Sequence, residues 1–293
     1  MIKKAYKYLF ISLILCCVNL SIFAQDSDTV YSRVSFNKPY FKSYLTDTRD
    51  LLIFPVKWDK KDIITFSSTC LVIGGLFTQD AKIQEFSQGL RTPKLDSISK
   101  YGFEPWGGIY SMSSMALFYL HGTIFKNDRS KRVSMLGLKS FLVSAMLVQI
   151  PKHLFNRNRP YHGDSPDPMV WNGPIPPDFE PETLKRFYKK SFFSGHTTSI
   201  FSVASIIATE YRDKPIVPIL CYSIASLTGI SRIYDNKHWA SDVLGGAAFG
   251  WAIGKFIYHQ NNWNLNIVPY SNSNSQGVTV YYTIKQAKTA TME

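Results

Sequence analysis

Three short groups of residues carry side chains whose types and spacing suit the chemistry of an anion. Lys152 and Arg159-Pro160 place two cations seven residues apart, on one face if the backbone is helical, and Pro160 marks where that helix must stop. Ser194-Gly195-His196 precedes an apolar helical stretch, where a serine can cap free N–H groups and the helix dipole favours negative charge. Ser231-Arg232 is followed by His238 and Asp242, four apart, which stacks carboxylate and imidazole if a helix starts near His238. Singly these read as a basic helix end, an N-cap and a helix start. Together and in this order they would arise by chance on the order of one time in a million.

The set fits transfer of a phosphoryl group, which needs its equatorial oxygens neutralised, a nucleophile in line and a proton for the leaving oxygen. Lys152, Arg159 and Arg232 supply three cations, two of them planar forks suited to bidentate contact with phosphate. Ser194 and the Gly195 amide add donors at a helix N-terminus.

These clusters must be positioned by helices. Apolar content and stop signals predict six, near 62–79, 105–125, 133–153, 194–211, 215–232 and 238–259. The first cluster follows the third helix, the second opens the fourth, and the third spans the turn between the fifth and sixth. In an up-and-down bundle with short connections all three meet at one end. The fold expected is therefore all-α, a bundle of about six core helices, with a short C-terminal β-hairpin where residues 264–284 alternate around Ser271 to Gly277.

The domain plan is a signal peptide at 1–24, a polar lead at 25–61 of irregular structure or short helices, a helical-bundle domain at 62–260, and a tail at 261–293. The bundle is interrupted by a loop at 160–193, whose stretch from Pro160 to Lys190 holds seven prolines. A structureless loop of that length is usually functional or disordered. Lys126 to Arg132 reads as a tight basic turn.

Of the 293 residues, 45% are hydrophobic and 18% charged, which excludes wholesale disorder. A net charge of +12 favours anionic partners and a membrane surface, with no feature that asks for nucleic acid. The basic start, the apolar run Leu9 to Phe23 and the polar residues after Ala24 describe a secretory signal, cleaved or retained as an anchor. Export to the cell envelope follows, with the site facing the periplasm and the chain either membrane-associated or soluble there. Uncharged runs near 20 residues could span a bilayer, yet they are rich in Ser, Thr and Gly, and the mean hydropathy is only −0.08. Cys70 and Cys221 read as two isolated core thiols. His121, His153, His162 and His259 are scattered, and no compact group of metal ligands or cofactor motif is present in the sequence.

Lys152-x6-Arg159-Pro160, Ser194-Gly195-His196 and Ser231-Arg232-x5-His238-x3-Asp242 resemble the three-part signature of the type 2 phosphatidic acid phosphatase and vanadium haloperoxidase superfamily, over residues 62 to 259. One departure is Phe193, where that family usually has proline before Ser-Gly-His. The resemblance implies a helical-bundle phosphoric ester hydrolase that uses no metal or other cofactor. It further implies that His238 is the nucleophile, forming a phosphohistidine, with Asp242 orienting it and His196 as general acid and base. Lys152, Arg159, Ser194, Gly195 and Arg232 would bind the phosphate. Substrates of this kind are envelope lipid phosphates (phosphatidic acid, phosphatidylglycerophosphate, an isoprenyl diphosphate or a lipid A phosphate) or soluble phosphomonoesters. A haloperoxidase with vanadate in the same cage is the remaining, less favoured reading.

Overall fold

The computed structural model describes residues 36–161, 166–174 and 190–261, together with the backbone of 265–272 and 275–282. The signal segment 1–24, and residues 162–165 and 175–189 of the proline-rich loop, lie outside the described residues.

The protein is mostly helical. Helix α1, Lys38–Ile53, starts at Asn37, whose side chain accepts the Tyr40 N–H, with Pro39 in the first turn. The lead read as irregular or short therefore contains a 16-residue helix. Its Tyr40 hydroxyl donates to the Met135 carbonyl at 2.9 Å, which supplies the long-range anchor that local periodicity does not reveal. Helix α2, Lys60–Phe77, opens with a reciprocal capping box between Asp59 and Asp62. Helix α3, Asp80–Gly89, follows at a bend of 60°. A short α4, Pro93–Ile98, a π turn at Ser99–Phe103 and a 3₁₀ turn at Glu104–Gly107 lead to α5, Ile109–Ile124.

Helices α6, Asp128–Leu147, and α7, Gln149–Phe155, run almost continuously. After the proline-rich loop come α8, Gly195–Glu210, α9, Ile216–Tyr234, and α10, Ala240–Gln260. Beyond them the backbone forms strands β1, Leu265–Asn272, and β2, Ser275–Tyr282, paired antiparallel with Leu265 opposite Tyr282.

Helix α8 lies at the centre, packed on α6, α9 and α10. Its buried residues are mostly small: Thr197, Thr198, Ser202, Ala204, Ser205 and Ala208. Facing it on α10, a Cβ added at Gly250 would stand 2.1 Å from the Thr198 carbonyl oxygen. Only glycine permits so close an approach of two backbones. The apolar core gathers Leu136, Val143 and Leu147 of α6, Ile206 of α8, and Ile253 and Ile257 of α10.

The end of the bundle away from the three clusters corrects one expectation. Residues 126–132 are not a basic turn, because Asn127 caps α6 and the helix begins at Asp128. Arg129 and Arg132 are buried, and Arg132 Nε donates to Glu210 Oε2 at 2.9 Å. The Arg129 guanidinium is held by Asp213. Carboxylates at the end of α8 draw these cations inward, and removing one partner of such a buried pair typically costs about 3–5 kcal/mol.

The exterior is unusually apolar. Ile63, Ile64, Phe66, Leu71 and Val72 of α2, and Ile219, Leu227 and Ile230 of α9, are exposed. Cys70 lies on this outward surface of α2 rather than in a core, while Cys221 of α9 is half-buried against the cluster of Val133, Tyr211 and Val217. Among the described residues, two helical stretches, Asp128–Phe155 and Ile216–Tyr234, are long and apolar enough to cross a membrane, and the bent pair α2–α3 would make a third.

Candidate active site

The three clusters meet at one end of the bundle. Helix α7 ends the α6–α7 rod, and its last turn carries Lys152, buried at 7% exposure. Lys152 Nζ donates to the Lys190 carbonyl at 3.1 Å, and Arg159 Nε donates to the same oxygen at 3.4 Å. The far end of the proline-rich loop thus holds both cations of the first cluster. Gly195 begins α8, and a Cβ added there would lie 3.7 Å from Lys152 Cε. This joins the first cluster to the second.

Ser194 is the buried N-cap residue of α8. Its N–H donates to the Asp242 carbonyl at 3.0 Å, and its hydroxyl accepts from Thr197 at 2.9 Å. The second cluster is thereby pinned to the third. Phe193, which replaces the proline usual in the resembled family, packs on Phe249 at 5.7 Å between ring centres and fills the space beside Gly245. His196 keeps an open face toward solvent. Its other side is crowded, since a Cβ added at Gly107 would fall 2.4 Å from its ring carbons.

Arg232, at the end of α9, is 2% exposed. Nη1 donates to Glu104 Oε1 at 2.9 Å and Nη2 donates to Asp235. Its Nε is buried and meets no acceptor among the described residues. A buried donor without a partner is rare and calls for an explanation, and an oxyanion in the cage would supply one. The Arg232 carbonyl accepts the His238 N–H at 3.2 Å, so the turn after α9 delivers the imidazole beside the guanidinium.

His238 is 3% exposed, and Asp242 is fully buried. Asp242 Oδ2 lies 3.7 Å from His238 Nδ1, and the Ser191 hydroxyl stands 3.3 Å from the same nitrogen while donating to Oδ2. Asp242 Oδ2 also accepts the Trp239 N–H at 2.9 Å, and Oδ1 accepts Arg157 Nη1 at 2.7 Å.

Electrostatics tie the set together. Burial, followed by Arg159, Lys152, Arg232 and His196, holds His238 well below the usual histidine range. Burial and then Arg232 push His196 down to about 4, with Lys152 and Arg159 adding to the effect and Glu104 opposing it. Both imidazoles are therefore neutral near pH 7 in this site. Each is acted on by cations from the first and third clusters, as expected of groups facing one space.

Every residue singled out in the sequence falls in this region. Several others there were not singled out: Arg157, Asp80, Ser241, Ser191, Glu104 and Asp235. Arg157 and Ser191 lie inside or beside the motifs, two before Arg159 and three before Ser194, so proximity alone could have flagged them. Asp80 and Glu104 carry no such signal, being 77 residues from Arg157 and 128 from Arg232. Only the fold brings them in. Of the four further histidines, His162 lies outside the described residues, and His121 is buried against Ser130 at 3.0 Å.

Parts of the chain are similar to known proteins. The model of the PAP2 superfamily matches residues 133–266. The chain is 48% identical over 69 residues to a lipid A 1-phosphatase of Porphyromonas gingivalis, covering 23% of this chain and 16% of the relative. It is 29% identical over 178 residues to a lipid A 4'-phosphatase of the same organism, covering 58% of this chain and 67% of that one. The phosphatidylglycerophosphatase B of Bacillus subtilis is 35% identical over 88 residues, or 27% of this chain and 42% of that relative. Among solved structures, a transmembrane PAP2 type phosphatidylglycerolphosphate phosphatase from Bacillus subtilis is similar at 22% identity and a TM-score of 0.49, covering 67% of this chain and 94% of the other. The LpxE of Aquifex aeolicus is similar at 23% identity and 0.45, covering 61% and 94%. All three motifs lie inside the matched segment, and residues 133–266 belong to the PAP2 superfamily, whose lipid phosphatases are phosphoric ester hydrolases.

Proposed function

We propose that this protein is an envelope lipid phosphatase that hydrolyses a phosphomonoester through a phosphohistidine on His238. The observation that carries the reading is that three motifs remote in sequence are tied together at one end of the bundle, Lys152 and Arg159 on the Lys190 carbonyl, Ser194 on the Asp242 carbonyl and His238 on the Arg232 carbonyl. Three positive charges around two neutral imidazoles suit a phosphate dianion, with the Ser194 and Gly195 groups and Arg232 Nε as further donors.

In the first half-reaction the lone pair of a neutral His238 nitrogen attacks phosphorus as the bond to the lipid oxygen breaks. Protonated His196 gives its proton to that oxygen, and the alcohol leaves. In the second half, neutral His196 takes a proton from water, whose oxygen attacks phosphorus. The P–N bond breaks, inorganic phosphate departs, and both histidines return to their starting states. Burial and then the surrounding cations lower the proton affinity of His196. A bound dianion cancels those charges and restores the affinity, so the acid is armed by the substrate it serves.

The named activities of the two relatives from Porphyromonas gingivalis favour a lipid A phosphate as substrate over phosphatidic acid, phosphatidylglycerophosphate or an isoprenyl diphosphate. The exposed apolar faces of α2 and α9 suit acyl surroundings. Lys126 and Arg212 are exposed at the end of the bundle opposite the site. By the positive-inside rule that end faces the cytoplasm and the site faces the periplasm. Failure of high-pH carbonate to release the protein from membranes is the result expected of an integral chain.

The decisive assay is phosphate release by the purified full-length protein from a panel of lipid and soluble phosphates, with EDTA present. Activity with lipid A phosphate that survives chelation and vanishes in His238→Ala is expected. Near wild-type turnover by His238→Ala ends the phosphohistidine reading, and loss of activity to EDTA ends the metal-free one.

A further inference from the structure

Arg157 is fully buried, with its guanidinium over Phe77, Trp171 and Trp239 at 4.8, 4.9 and 5.4 Å from the ring centres. It joins two carboxylates that are also fully buried. Nη2 donates to Asp80 Oδ2 at 2.7 Å, and Nη1 donates to Asp242 Oδ1 at 2.7 Å. Asp80 is the first residue of α3, at the bend after α2, and its Oδ1 accepts the Ser241 N–H at 2.9 Å. The chemistry proposed above uses neither Arg157 nor Asp80.

The charge count gives these residues a task. Arg157 and Asp242 alone would be a neutral pair. With Asp80 the trio carries one net negative charge, held directly behind His238. On its other sides His238 faces Lys152, Arg159, Arg232 and His196. The acids Glu104 and Asp235 are engaged by Arg232, the Lys190 backbone holds Lys152, and Ser191 is neutral. When the imidazole gains positive charge on phosphorylation, the trio is the counter-charge on its Asp242 side.

We propose that Asp80 is a positioning residue that acts on His238 through Arg157 and Asp242, keeping one uncompensated negative charge behind the nucleophile. This rests on the reading of His238 as nucleophile. A unit charge roughly 10 Å away, at an effective dielectric of about 20, moves a titration by about one pH unit.

The test is the pH profile of kcat/KM for the full-length protein in micelles, with one lipid phosphate for all variants so that the substrate's own titration cancels. Asp80→Asn neutralises the trio, so its acid limb moves down by about one pH unit and kcat falls about tenfold at unchanged KM. Arg157→Gln doubles the negative charge and moves the limb up. The double variant returns the limb to the wild-type position, even if its rate is low. A limb that stays put in both single variants makes the trio a structural brace and overturns the inference. Should Asp80→Asn not fold, Asp80→Glu keeps the charge and changes the shape, and a shifted limb there overturns it equally. Near wild-type turnover by His238→Ala removes the underlying reading instead, whereas an inactive His238→Ala with unmoved limbs removes only this inference.

Discussion

Asp242 holds His238 by way of a hydroxyl. The direct gap from Oδ2 to Nδ1 is 3.7 Å, and Ser191 Oγ sits 3.3 Å from Nδ1 while donating its one proton to Oδ2. A serine that has given its proton to the carboxylate can only accept from the ring, so Nδ1 carries hydrogen and the other nitrogen keeps the lone pair that attack requires. Ser191→Ala should therefore lower kcat by about 10- to 100-fold with little change in KM, because a tautomer is lost and no phosphate contact is. Ser191→Thr, which retains the hydroxyl, should recover most of the rate. Steady-state kinetics of the two variants on the same lipid phosphate decide it.

Glu104 has a second task besides its 2.9 Å bond to Arg232, since its charge raises the proton affinity of His196 against three cations that lower it. In Glu104→Gln the acid form of His196 should persist only to lower pH. The basic limb of kcat moves down, and activity at pH 8 falls more than activity at pH 6. A parallel loss at both values would mean that Glu104 serves Arg232 alone.

How much of this was legible beforehand follows from chain distance. The helices were readable because apolar runs are local, although the Asn127 cap that starts α6 was hidden in a basic run, and the motif residues stood out because their spacing is fixed within a few residues. The Asp80–Arg157–Asp242 link has no local signature. Asp80 is an ordinary first-turn acid until the bend after α2 carries it to a partner 77 residues away. Arg129 and Arg132 misled in the opposite direction, because a run of basic residues reads as solvated turn until Glu210 is found beside it. Trp171 likewise belongs to a loop that composition marks as irregular, yet its ring covers Arg157.

The two lowered histidines set the acid side of stability. Burial and the neighbouring cations push His196 down to about 4 and hold His238 well below its ordinary value. The unfolded chain binds these protons below about 6.5 while the folded one does not. Folding stability from this pair therefore rises with pH between about 4 and 6.5 and is level above that window. Inorganic phosphate or vanadate should offset the loss by restoring proton affinity in the cage. Ligand at about 100 times its Kd adds about 2.7 kcal/mol. Thermal unfolding of the detergent-solubilised protein should show this ligand shift in the wild type and lose it in Arg232→Ala.

Two glycines make room for α8. At Gly250 an added Cβ meets the backbone of Thr198, with the carbonyl oxygen at 2.1 Å and Cα at 3.0 Å. Backbone cannot rotate away, so Gly250→Ala should part α8 from α10 and cost about 1–3 kcal/mol. At Gly107 the obstacle is His196, whose Cβ and ring Cδ2 both stand at 2.4 Å, so turning the ring alone does not clear the clash. Gly107→Ala should therefore shift the start of α8, lowering the unfolding midpoint and displacing His196 together. A displaced acid matters only when the leaving oxygen needs its proton. With a lipid alcohol as leaving group, phosphorylation of His238 should slow by about 100-fold or more; with p-nitrophenyl phosphate, whose phenolate departs unaided, it should slow far less. Equal losses on both substrates would show that Gly107→Ala disturbs the phosphate cage rather than proton donation.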